Sequence, residues 1–74
     1  MRELIRLDTQ EEVIKLVDIA SQIKDNIWLK DGNSMCVSAK SLLGAVCARF
    51  DFTEIWLETE EDHYFLFKDF IIGE

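Results

Sequence analysis

Asn26-Ile27-Trp28-Leu29-Lys30-Asp31-Gly32-Asn33-Ser34-Met35-Cys36-Val37-Ser38 decides how the rest of this chain is read. Over 26–30 the pattern has period two, with Ile27 and Leu29 on one side and Trp28 and Lys30 on the other, the signature of a half-buried strand. Asp31-Gly32-Asn33 is a strong turn signal, so 35–38 is expected to return as the second arm of a hairpin. A tight hairpin forces its two arms, the central pair of strands in chain order, to pair antiparallel.

Immediately after it comes Val37-Ser38-Ala39-Lys40-Ser41-Leu42-Leu43-Gly44, which reads as a strand end running into a short helix. Ser38 and Ser41 can each accept a hydrogen bond from a free first-turn amide, so either serves as the cap. Leu42, Leu43, Val46 and Cys47 are the expected inward residues, with Phe50 and Phe52 in the exit loop. A phosphate on a serine at such a helix start would meet unpaired N–H groups and the positive end of the dipole. The plain reading is a structural cap.

Upstream, 3–7 alternates weakly and is expected as a strand. Thr9-x-x-Glu12 is a capping-box pattern, and Val13, Leu16, Val17, Ala20 and Ile23 then recur at helical spacing. Downstream, 53–59 returns to period two. Ile55 and Leu57 point inward there, while Glu54, Trp56 and Glu58 point outward. Glu60-Glu61-Asp62 is expected to open a last helix with Leu66, Phe67, Phe70 and Ile71 as its inner stripe and Phe65 and Ile72 nearer the edge. The fold expected is α+β, an open-faced β-sandwich in the order βαββαβα, with helices on one face of the sheet.

The sequence has 74 residues, enough for one domain over 1–74. A domain this small buries only about 60% of its unfolded surface, so it needs a well-filled core, and five phenylalanines are consistent with one. The net charge is −7, with eight basic residues scattered along the chain. That argues against nucleic acid and anionic membranes as partners, because counterion release needs clustered Lys and Arg. No apolar run approaches membrane-spanning length, and the first residues lack the apolar core of a signal peptide. Two cysteines, Cys36 and Cys47, are too few for a disulfide scaffold or a zinc cluster and read as small core or edge hydrophobes. A cytoplasmic setting with reduced thiols is expected.

Lys40-Ser41-Leu42-Leu43-Gly44 resembles the Lys-Ser-Ile/Leu-Met/Leu-Gly motif of the histidine-containing phosphocarrier (HPr) family of the bacterial sugar phosphotransferase system. Ala20-Ser21 and Asn26-Ile27-Trp28-Leu29 also fit the end of that family's first helix and the start of its second strand. The resemblance is good from about Val17 to Val46. It implies a four-stranded antiparallel sheet with three helices on one face. It also implies that Ser41 is the position a dedicated kinase phosphorylates in Gram-positive members, with Lys40, Leu42, Leu43 and Gly44 as recognition surface. A phosphotransferase-system kinase or regulator would then be the protein partner.

The family carries Gly-x-His-Ala-Arg-Pro at the entrance to its first helix, where the histidine takes the phosphoryl group. This chain has Leu7-Asp8-Thr9-Gln10-Glu11-Glu12 there, without histidine, arginine or proline. The single histidine, His63, stands among Glu60, Glu61 and Asp62 and reads as an ordinary helix-start residue. The resemblance therefore implies a regulatory or adaptor protein without phosphocarrier activity, and no enzyme. Corepressor binding does not carry over, because Glu11 stands at the matching arginine. No cofactor and no metal is expected, and the 58–62 acidic run reads as a solvated turn, lacking the spaced ligands and turn glycine of an EF-hand.

Trp28 and Trp56 fall on outward positions of strands that the family makes neighbours. Side by side on a bare sheet face, they would form a contact surface for a partner or a homodimer, or a cross-strand pair that shields backbone. Two rival functions are a divergent phosphocarrier with another acceptor and an acyl-carrier-like protein. The second requires Asp-Ser-Leu in an all-helical bundle.

Overall fold

The computed structural model describes residues 1–72. Its elements are β1 (Arg2–Ile5), α1 (Gln10–Ser21), β2 (Ile27–Lys30), β3 (Cys36–Ser38), α2 (Leu42–Asp51), β4 (Ile55–Thr59) and α3 (Tyr64–Phe67), followed by a single 3-10 turn, Lys68–Phe70. The four strands form one antiparallel sheet in the order β1-β4-β2-β3. The helices pack on one face of it, giving the α+β open-faced sandwich that the central hairpin implies.

Register sorts the strand residues onto two faces. Leu57 pairs with both Glu3 and Leu29, Leu29 with Val37, and Ile5 with Ile55 on the helix side. Arg2, Glu58, Trp28 and Ser38 make one row of the outer face; Leu4, Trp56, Lys30 and Cys36 make the next. The core lies between sheet and helices, built on Val13, Leu16, Ile27, Leu29, Leu57 and Phe67, all fully buried. Each such side chain contributes about 1.5–3 kcal/mol of transfer free energy.

The α1 capping box forms as its sequence implies. Thr9 Oγ1 accepts from the Glu12 amide at 3.2 Å, and Glu12 Oε1 accepts from the Thr9 amide at 3.0 Å. Val17 and Ile23 are half-buried against the core, and Leu7 is buried just beyond β1. The β2–β3 turn is organised by Asp31, whose Oδ1 accepts from the amides of Asn33 at 2.7 Å and Met35 at 3.2 Å. Gly32 supplies its left-handed backbone, with φ of +91°.

Two helices depart from expectation. The inward face of α2 is Ala45 and Ala48, with Phe52 buried just past its end; Leu42, Leu43 and Cys47 are exposed and Val46 is half-buried. The cause is close approach. A Cβ on Gly44 would stand 3.2 Å from Val37 Cβ and 3.3 Å from the Ser38 carbonyl, so only small residues let α2 lie this near β3. Nearly every residue of the helix is apolar, and side-chain size, not hydrophobicity, selects the buried face.

The last helix starts at Tyr64 and lasts one turn. Residues 60–62 form a bend in which the Thr59 hydroxyl donates to the Glu61 carbonyl and Asp62 Oδ1 accepts from the Tyr64 amide at 2.9 Å. Phe67, Phe70 and Ile71 are buried as expected, but Leu66 is exposed. Beyond the 3-10 turn the chain extends along β1: Ile71 bridges Ile5, and the Ile72 amide donates to the Leu4 carbonyl at 3.0 Å. This segment covers part of an edge that would otherwise invite pairing. Among the described residues, no helix is long and apolar enough to cross a membrane.

Candidate functional site

Ser41 is the N-cap of α2. Its backbone is extended and its Oγ accepts from the Gly44 amide at 3.1 Å. Ser38 does other work, its Oγ accepting from the Lys40 amide at 3.1 Å in the turn between β3 and the helix. Ser41 and its neighbours Leu42 and Leu43 are all exposed, Leu43 to 75%. Gly44 is half-buried and serves the close approach to β3. Lys40 turns the other way: its ammonium donates to the carbonyls of Ile23 at 2.5 Å and Lys24 at 3.4 Å. Of the motif, then, the serine and two leucines face solvent, while the lysine and glycine hold the fold.

The apolar surface continues along α2. Leu43, Cys47 and Phe50 follow at i, i+4 and i+7, and all three are exposed, Phe50 to 71%. Phe50, assigned to a loop from sequence, is thus part of a helical stripe, and its spacing from Leu43 was the signal that could have found it. Residues 32–50 carry Lys40 and Arg49 and no acidic residue, in a chain whose net charge is −7.

Trp28 and Trp56 do share the outer sheet face, on neighbouring strands, but diagonally. Trp28 stands opposite Glu58 and Trp56 opposite Lys30. Between them Glu58 binds Lys30 at 3.0 Å and Arg2 at 3.2 Å, and both cations hold its carboxyl below the usual carboxylate range, the Lys30 hydrogen bond most. The Arg2 guanidinium also lies over the Trp56 ring, 4.1 Å from its centroid. Trp56 is therefore partly covered, and Trp28 is somewhat more exposed, at 37%. Cys36 is exposed on the edge strand and Cys47 on the α2 stripe, so neither belongs to the core.

His63 has a partner that its sequence neighbourhood does not reveal. Its Nε2 lies 2.8 Å from Asp25 Oδ2, in the loop after α1. The hydrogen bond to His63 holds the Asp25 carboxyl below its ordinary range. Asp25, Glu61 and His63 are the one group of three metal-capable side chains among the described residues. The entrance to α1, where Thr9 and Glu12 close their capping box, lies at the other end of that helix from Asp25 and has no histidine.

No protein-family model matches this chain, and comparison with curated proteins and with solved structures yields no significant match.

Proposed function

We propose that this chain is a regulatory adaptor of the phosphocarrier-like type, without histidine relay, which docks a protein partner on the outer stripe of α2 and is switched by phosphorylation of Ser41. One observation carries this reading: an exposed capping serine opens a helix whose exposed face is Leu42, Leu43, Cys47 and Phe50. Single exposed apolar residues need no explanation, but a run of them along one helix is a contact surface. It lies in the segment that lacks acidic residues, where an acidic partner meets the least repulsion.

A phosphate on Ser41 adds a charge of about −2 beside this face. Helix N-terminal amides and the dipole stabilise that charge, so α2 remains folded while its docking surface changes sign. The phosphotransferase system is the proposed setting and its serine kinase the proposed modifier, on the strength of the 40–44 motif. Trp28, the more exposed tryptophan of the sheet face, is proposed as a second contact, through which two copies pair.

The rival phosphocarrier reading needs an accessible nucleophilic imidazole, yet His63 is tied to Asp25 and surrounded by acidic residues. The acyl-carrier reading needs an all-helical bundle, which a four-stranded sheet is not. Incubation with the bifunctional HPr kinase and ATP, followed by intact mass, tests the switch. One phosphate is expected on the wild type and none on Ser41→Ala. No phosphate on the wild type rejects the switch.

A further inference from the structure

We propose that Asp25, Glu61 and His63 form a binding site for one divalent transition-metal ion of the zinc class. One ligand atom from each of the three lies within 4.8 Å of the others. Around an ion with bonds of about 2.0–2.1 Å, neighbouring ligand atoms sit about 2.9–3.4 Å apart. The 2.8 Å separation of His63 Nε2 and Asp25 Oδ2 needs to open by only a few tenths of an ångström to admit one.

The parts are positioned unequally, in a way that suits capture. The Asp25 and His63 side chains are only 14% and 19% exposed, so packing holds two ligands in place. Glu61 is exposed, and its carboxylate is free to swing in without disturbing the core. Its backbone is held by the Thr59 hydroxyl, and it is the acid of this bend whose carboxylate lies within 4.8 Å of the Asp25 and His63 ligand atoms. A surface cleft of about 420 Å³, lined by Asp62, His63, Tyr64, Phe65 and Leu66, lies beside this group.

The donor set selects the ion. Two carboxylates and a neutral imidazole balance a charge of +2. The ring nitrogen favours zinc-like ions over magnesium and calcium, which take oxygen donors. Three protein ligands leave a position for water or for a group from a partner. The 58–62 acidic run lacks the ligand spacing of a calcium loop; Asp25, distant in sequence, completes a different set.

Calorimetric titration with zinc chloride tests this in a Cys36→Ser/Cys47→Ser background, which removes the exposed thiols as competitors. Saturable binding of one ion per chain is expected, undiminished by a large excess of magnesium. His63→Ala and Glu61→Gln should each weaken it by about tenfold or more. Glu61 is exposed, so its substitution leaves the fold intact and keeps the test decisive even if His63→Ala unfolds. Absence of saturable heat, or affinity unchanged in Glu61→Gln, overturns the proposal.

Discussion

The Lys40 ammonium lies 2.5 Å from the carbonyl oxygen of Ile23, just beyond the end of α1. That helix has no basic residue in its last turn, so a lysine from the β3–α2 turn supplies the positive charge its C-terminus favours. The same contact ties the start of α2 to the end of α1. Lys40→Met is expected to destabilise the protein by about 0.5–1 kcal/mol. For a domain this small that lowers the melting temperature by roughly 4–8 °C per kcal/mol. Thermal denaturation checks it, and an unchanged midpoint would mean the contact contributes nothing in solution.

The register of α2 makes two opposite predictions. Leu42→Ser/Leu43→Ser alters exposed positions and should change stability by less than about 0.5 kcal/mol per site while abolishing partner docking. Ala45→Leu forces a large side chain into a fully buried position beside the sheet and should cost about 1–3 kcal/mol. Urea denaturation of both variants distinguishes this register from one with the leucines inside.

Glu58 gives the stability a pH dependence of definite sign. Lys30 and Arg2 lower its carboxyl in the folded state relative to its ordinary value of 4.5. Its contribution is therefore complete above that value and is lost as pH falls through the lower, folded one. Glu58→Gln should flatten the acid limb of the stability profile below about pH 4 and leave the profile near neutrality parallel to wild type. Added salt should shrink the difference, because the three side chains are partly exposed. Denaturation midpoints across pH, with and without salt, provide the check.

The two tryptophans should separate in their effects. Trp56 is held under Arg2, so Trp56→Ser removes packing and lowers stability. Trp28 is the more exposed of the two at 37%, so Trp28→Ser should cost less stability than Trp56→Ser and reduce self-association. Sedimentation at increasing protein concentration reads the second effect. A mass that is the same for wild type and Trp28→Ser at every concentration removes the sheet face as a dimer contact.

The strands were legible because their signals are local and redundant. Ile27 and Leu29, then Ile55 and Leu57, alternate with polar or aromatic outward residues, and Asp31-Gly32-Asn33 turns the chain between the first pair and its return. The α1 start was legible because Thr9 and Glu12 satisfy each other within one turn. The α2 face was not, because Leu42, Leu43, Val46 and Cys47 compete with Ala45 and Ala48 on hydrophobicity and lose on size against β3. The Asp25–His63 contact was hidden by a separation of 38 residues, and the orientation of Lys40 by one of 17. Of the candidate site, Ser41 as a cap could be read from sequence. Which of its neighbours face a partner could not.

In the proposed switch, phosphorylation of Ser41 alters a docking face and leaves the fold unchanged. Amide NMR spectra of the isotopically labelled protein, followed during reaction with the serine kinase and ATP, test it most directly. Shifts are expected only at residues near the start of α2, with the resonances of β1, β2 and β4 unmoved. Modification elsewhere, or shifts spread through the sheet, would contradict it.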